Sequence, residues 1–206
     1  MIKAPIDRAR FFADVRARFG ALKVSQVEGF GVLLDGFEGE QSLPLTHAAY
    51  MLATAWHETA RTMQPVRETL ANSDEQVIQR LDHAFRAGKL QTVGCPYWRP
   101  DARGRAWFGR GYVQLTHREN YEKLGEALGV NLTSRPELAL LPAIAYRILS
   151  VGMRDGLFTG KSLGDYLTAR ATDYRGARAI INGRDQARTI AGYAEQFEQF
   201  LTDARA

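Results

Sequence analysis

The stretch SLPLTHAAYMLATAWHETA, Ser42 to Ala60, says more about the architecture of the chain than any other. Its Leu45, Ala48, Leu52, Ala55 and Trp56 recur at intervals of three and four, the spacing of one helix face. Ser42 and Pro44 are good helix-start residues, so the spacing predicts a buried helix that ends near Glu58. Directly beyond comes RTMQPVRE, Arg61 to Glu68. A proline ring clashes with the preceding helical turn and biases the residue before it, here Gln64, away from helical backbone. An unbroken helix would hold Glu58 and Glu68 about 15 Å apart along its axis. A break at Pro65 lets the chain fold back and bring the two carboxylates together.

Outward from this segment, helical signals dominate. SQVE, Ser25–Glu28, has the form of a capping box ahead of Val27, Phe30, Leu33, Leu34 and Phe37, although Gly29 and Gly31 weaken that helix. SRPE, Ser134–Glu137, is a second capping-box pattern. Pro142 starts a helix through Ile144, Ile148 and Leu149 that Gly156 is placed to stop. TIAGYAEQFEQFLTDA, Thr189–Ala204, puts Ile190, Tyr193, Ala194, Phe197 and Leu201 on one core face. Between Gly94 and Thr116 the helical period disappears into a run rich in Gly, Pro, Arg and aromatics, and a long irregular segment of this kind points to function. No internal repeat or interdomain linker interrupts the chain, so residues 1–206 are expected to form one catalytic domain, with 1–40 its helical N-terminal part.

Composition narrows the class. The 206 residues are 45% hydrophobic and 24% charged, enough for a sizeable core. Cys95 is the single cysteine and closes no internal disulfide, which fits a reducing compartment. The N-terminal MIKAPIDRARFFADVRARFG lacks the apolar run of a secretory signal, and no segment is long and apolar enough to span a bilayer, so synthesis in the cytoplasm without membrane insertion is expected. A net charge of +4 and a pI near 9.3 help association with an anionic polymer without choosing one, and equally describe a generic basic surface. No basic block or regular basic–aromatic series supports nucleic-acid binding.

The two glutamates admit three readings. A zinc site of the H-E-x-x-H type fails because Arg61 stands where the second histidine must be, and His47, His83 and His117 show no paired spacing; no metal or other cofactor is expected. Two solvated surface charges are the plain alternative. The third reading is a glycosidase pair. In an inverting enzyme one protonated carboxyl donates to the leaving oxygen, while a carboxylate about 6.5–9.5 Å away activates water. Ala55, Trp56 and the apolar helix face would then surround Glu58 and favour its neutral form.

FGRGYVQLTHRENY, Phe108–Tyr121, taken with AWHETA upstream and ARAIING downstream, resembles the family 19 glycoside hydrolases, a chitinase-like family that includes many phage endolysins. The resemblance implies a mainly α, lysozyme-like or chitinase-like fold, two-lobed around a central cleft with little or no sheet. Glu58 matches the family's general acid and Glu68 its general base, with Glu119 a nearby rival for that role. Thr116 matches the hydroxyl that holds the attacking water, and Gln114, Asn120 and Asn182 match sugar-contacting positions. Where the phage pattern has Gly-Gly after the His–Glu motif, this chain has Ala60 and Arg61. Trp98, Trp107, Tyr97 and Tyr112 could line sugar subsites or simply pack the loop. Arg110 and Arg178 could keep the base ionised or form structural ion pairs.

Motifs and resemblance together predict a monomeric glycosidase cutting β-1,4 links between amino sugars in peptidoglycan, an endolysin or lysozyme-like enzyme released to the cell wall through a separate pore. Chitin is the alternative substrate, and a non-catalytic glycan-binding relative the alternative class.

Overall fold

The helix read from Ser42 onward is the centre of the molecule. In the computed structural model, which describes residue 2 and residues 5–40, 42–91 and 93–205, it spans Leu45–Glu58. Met1, Lys3 and Ala4 of the N-terminal stretch lie outside the described residues. Every residue from Ala48 to Trp56 is buried, so this helix (α3) is covered on all sides. Pro44 is its N-cap and Ser42, two residues earlier, is in left-handed backbone, φ 63°, so the helix begins just after the start residues read from the sequence.

Two helices precede it, α1 (Arg8–Phe19) and α2 (Val24–Gly39), and α4 (Asp74–Arg86), α5 (Arg118–Leu128), α6 (Pro142–Arg154), α7 (Leu163–Tyr166) and α8 (Ala187–Asp203) follow. The only named strands among the described residues are β1 (Val66–Arg67) and β2 (Arg110–Gly111), an antiparallel pair with Val66 opposite Gly111 and Arg67 opposite Arg110. The architecture is mainly helical with minimal sheet, as the motifs implied.

Local signals succeed or fail for visible reasons. Pro142 opens α6, and Gly156 follows its C-cap at φ 69°. In α8 the residues Ile190, Ala194, Phe197 and Leu201 are buried as the period required. The capping box at Ser25–Glu28 is not formed: α2 starts earlier, with Lys23 as N-cap, and Gln26 Oε1 accepts from the Lys23 N–H at 2.8 Å. SRPE is likewise not a capping box, because Arg135 precedes a 3-10 turn at Pro136–Leu140 and Glu137 pairs with Arg135 at 3.1 Å. Gly29, which weakens α2 on propensity, is there for space. A Cβ on it would lie 1.8 Å from the Met63 carbonyl oxygen, so α2 lets the chain leaving Glu58 pass against its backbone.

The buried side chains fall into two clusters. The larger joins α1, α2, α3, α6 and α8, with the Trp56 ring centroid 5.0 Å from Phe19, 5.7 Å from Phe30 and 6.2 Å from Phe197. The smaller holds Ala71, Val77, Leu81, Trp98, Ala106 and Phe108 and lies under α4 and the irregular segment. Glu58 ends a helix of the first cluster; Glu68 sits at the edge of the second.

Candidate active site

Glu58 is the last residue of α3, and a Schellman-type corner fixes its position. The Arg61 N–H donates to Trp56 O at 2.8 Å and the Ala60 N–H to His57 O at 3.1 Å. Ala60 (φ 49°), Arg61 (φ 67°) and Met63 (φ 54°) are left-handed. Ala60 and Arg61 thus occupy the backbone that the Gly-Gly of the phage pattern would adopt freely, at a cost of about 1–2 kcal/mol per residue. Tertiary contacts hold the corner. Arg61 Nη2 donates to the Tyr193 hydroxyl at 2.8 Å, while buried Thr59 donates to Ala55 O at 2.7 Å and accepts from the Met63 N–H at 3.1 Å. Strain of this kind persists only where the surroundings over-determine it.

The Glu58 carboxylate does not face the apolar wall that Ala55 and Trp56 were expected to offer; both are buried in the large core. Its partner is Arg178, whose Nη1 donates to Glu58 Oε1 at 2.5 Å and whose Nε donates to Asp185 O at 2.8 Å. The Arg178 side chain is 3% exposed and that of Glu58 16%, so the pair is largely removed from water. Arg178 therefore serves the candidate acid and not the candidate base. Beside it, burial lowers the His57 pKa despite the opposing Glu58 charge, which keeps the imidazole neutral near pH 7.

A cavity of about 330 Å³ opens at Glu58, and Gln114, Thr116, Asn120 and Asn182 line it together with Phe158 and Ile181. Four sequence-distant stretches thus converge on one hollow. Thr116 is held by its successors: Asn120 Nδ2 donates to Thr116 O at 2.8 Å, and His117 turns the chain into α5 at φ 66°.

Glu68 begins a 3-10 turn, Glu68–Leu70, after β1. Its N–H donates to Gly109 O at 2.7 Å, the Gly109 N–H donates back to Glu68 Oε2 at 2.7 Å, and the Tyr97 hydroxyl donates to Oε1 at 2.7 Å. Each carboxylate oxygen of Glu68 thus accepts one hydrogen bond, which fixes its orientation. Burial and the facing Glu68 charge push the Tyr97 phenol up, so it remains a donor. Gly109 also ties Glu68 to the cavity of Glu58. A Cβ there would stand 2.2 Å from Gln114 Oε1, so glycine lets Gln114 lie against the segment that grips Glu68.

A second hollow of about 620 Å³ lies beyond, lined by Tyr97, Trp107, His117 and Glu119 among others. Glu119 thus faces this hollow and not the one at Glu58. Of the four aromatics read as subsite candidates, Tyr97 and Trp107 reach a cavity; Trp98, whose Nε1 donates to Asp82 at 2.8 Å, and Tyr112 are buried packing residues. Arg110 is a structural cation. It is 1% exposed, its guanidinium stands 3.6 Å from the Phe108 ring centroid, and Nη2 pairs with Asp74 at 2.8 Å. Asp74 also pairs with Arg67 at 2.6 Å. Burial alone would raise the Asp74 pKa, but hydrogen bonds from Arg67 and Arg110 and their charges hold it below the ordinary value.

Comparison with known proteins bears on this arrangement. A family model described as chitinase class I, glycoside hydrolase family 19, matches residues 83–149, the stretch that contains Gln114, Thr116 and Asn120. Across nearly the whole chain the fold matches chitinase C from Streptomyces griseus HUT6037, with a TM-score of 0.53 over 96% of this chain and 92% of that one at 22% identity. Residues 83–149, about a third of the chain, thus carry the sequence pattern of the family 19 glycoside hydrolases. A mutant of chitinase C superposes at a TM-score of 0.52, covering 99% of this chain and 95% of that chain at 21% identity. At this identity the likeness concerns the fold alone. Among curated sequences, endochitinase 4 of Solanum tuberosum is 45% identical over 49 residues, 23% of this chain and 16% of its own length. Endochitinase B of Nicotiana tabacum is 45% identical over 49 residues, 23% of this chain and 15% of its own length. The alignment thus spans only about a sixth of these plant proteins.

Glu58, Glu68 and Asn182 lie outside the stretch matched by the family 19 model, so their bearing on the site rests on geometry. Three contributors escaped the sequence reading. Gly109 was legible as part of the G-R-G run but not as the holder of Glu68. Tyr97 was one aromatic among four. Phe158 sits outside every motif, and nothing local marks it. Among the described residues, no group of three His, Cys, Asp or Glu side chains could hold a metal ion, and no helix is long and apolar enough to cross a membrane.

Proposed function

We propose that this protein is an inverting glycosidase that hydrolyses β-1,4 links between amino sugars in peptidoglycan. The observation that carries the reading is the convergence of Glu58, Gln114, Thr116, Asn120 and Asn182 on one cavity, with Glu68 gripped by Gly109 behind Gln114. Amide and hydroxyl side chains both donate and accept hydrogen bonds, which suits the acetamido and hydroxyl groups of such sugars.

In this mechanism Glu58, protonated as substrate enters and its bond to Arg178 opens, gives its proton to the leaving glycosidic oxygen. Water held by Thr116 and Gln114 attacks the anomeric carbon from the opposite face as that bond breaks, and Glu68 takes the water's proton. Glu58 is left anionic, and Arg178 is in place to stabilise it; the proton on Glu68 returns to solvent. No metal or other cofactor enters a step.

The chitinase names of the relatives favour chitin as a second reading, since both polymers carry N-acetylglucosamine. Mass analysis of products from purified peptidoglycan and from chitooligosaccharides separates the two, and NMR of the first-formed reducing end tests inversion. Release of soluble muropeptides with an initial α-anomer is expected. Cleavage of chitooligosaccharides alone would replace the peptidoglycan assignment, and an initial β-anomer would remove the inverting mechanism.

A further inference from the structure

A further cavity of about 820 Å³ is separate in its lining from the one at Glu58. It is bordered by the 3-10 turn Gly176–Ile180 and the start of α8, and Arg175, Arg184 and Arg188 all line it. Each of these arginines is exposed, and none forms an ion pair among the described residues. The one acid in the lining, Asp173, already accepts the Gly176 N–H at 2.8 Å. The first turn of α8 holds no acidic residue to offset the helix dipole, which adds to the positive potential of the hollow. Three unpaired guanidiniums around one concavity repel each other and favour an anion, carboxylates above all because the planar fork matches them.

Position gives this hollow a bearing on the reaction. Asn182 lines the cavity at Glu58 and Gly183, the next residue, lines the basic one, so the two hollows meet at adjacent residues of one segment. Consecutive Cα atoms are about 3.8 Å apart, and an extended peptide advances about 3.4 Å per residue. A sugar seated at Asn182 that bears a peptide on its lactyl group would therefore have the basic hollow bordering it at the next residue. Chitin has no such substituent and no carboxylate.

Resting on the peptidoglycan reading above, we propose that Arg175, Arg184 and Arg188 form a subsite for the carboxylates of the peptide stem and select stem-bearing glycan over neutral glycan. The subsite acts on binding and not on the chemical step, because none of the three arginines lines the cavity at Glu58.

The test compares the wild-type chain with the triple variant Arg175→Gln, Arg184→Gln, Arg188→Gln on intact peptidoglycan, on peptidoglycan stripped of its stems by an amidase, and on chitooligosaccharide. A rise in KM of about tenfold or more on the intact polymer is expected, with kcat and the rates on the two stem-free substrates unchanged. Equal losses on all three substrates, or no loss on the intact one, would overturn the subsite. A binding arm uses a soluble acidic stem tetrapeptide and its carboxamide counterpart. The wild-type chain should bind the acid at least tenfold more tightly than the amide, and the triple variant should lose that preference. Absence of such binding in a chain that does hydrolyse peptidoglycan defeats the subsite alone. Binding with no peptidoglycan hydrolysis supports the anion site and defeats the reaction proposed for the neighbouring cleft.

Discussion

The two glutamates stand on ground of very different kinds. Glu58 is the end of a fully covered helix in a core rich in large aromatics, and a buried arginine meets its side chain. Glu68 follows a two-residue strand and is held by one backbone amide, one phenol and an irregular loop over a much smaller cluster. An acid that must present a proton at a fixed point gains from a rigid mount. A base that must accept water and a sugar between itself and the acid gains from a mount that can give. The contrast also separates two ways of fixing a carboxylate: a cation from a distant segment for Glu58, neutral donors from a neighbouring loop for Glu68.

The strongest challenge to the assigned roles is Glu58→Gln. A loss in kcat of about 10²–10⁴-fold is expected with the fold retained by circular dichroism, since this is the range for a positioned acid or base. Retention of more than a tenth of the activity would move the acid elsewhere. Gly109→Ala strikes the joint between the two regions. Its Cβ would fall 2.2 Å from Gln114 Oε1, and a loss of up to about 10²-fold in kcat/KM is expected from displacement near the reacting groups. An unchanged steady-state rate would show that Gln114 and Glu68 do not act together.

Asp74→Asn probes the softer mount on stability. It takes one carboxylate from both Arg67 and buried Arg110, and a destabilisation of about 1–3 kcal/mol is expected in denaturant titration. Because Asp74 has a lowered pKa, its contribution is present above the ordinary carboxylate range and fades as pH falls through the depressed folded value. His47 also loses its contribution as pH falls, but nearer neutrality. Burial lowers the His47 pKa against the raising effect of its bond to Leu167 O, with Arg154 adding to the lowering. The unfolded chain therefore binds the proton more readily, so stability is full above about pH 6.5 and declines below it. Melting temperatures between pH 5 and 8 should show this, and His47→Gln should flatten the curve. The smallest effect belongs to Ala60→Gly. Relief of left-handed strain offsets the greater freedom of the unfolded chain, and a change between zero and about 1 kcal/mol in favour of folding is expected from chemical denaturation.

These contrasts explain which parts of the molecule were legible in its sequence. α3 is buried all round and α6 and α8 each bury one broad face, so apolar period with helix-start prolines located them, down to Pro142 at the start of α6 and Glu58 at the end of α3. α4 has its N-cap at Ser73 and buries only Val77 and Leu81, so its pattern was too sparse to stand out. The capping boxes failed because a cap depends on where the chain first turns helical, and the turn falls at Lys23 and Arg135 for reasons outside the four-residue pattern. At the site, the motif G-R-G-Y-V-Q-L-T pointed to Gln114 and Thr116, which do line the cavity with Glu58. The choice of Arg178 for Glu58 and of Tyr97 for Glu68 was hidden, because each joins residues 120 and 29 positions apart and no local rule reaches that far.

Six buried residues, Ala71, Val77, Leu81, Trp98, Ala106 and Phe108, form the cluster behind Glu68. A patch that small supplies little resistance to local opening compared with the aromatic interior around Trp56. On warming, the loop bearing Tyr97 and Gly109 should release its glutamate while α3 and α8 still pair. Turnover would then cease several degrees before the far-ultraviolet signal of the helices collapses, and cooling from that interval would restore it without any refolding of the chain as a whole.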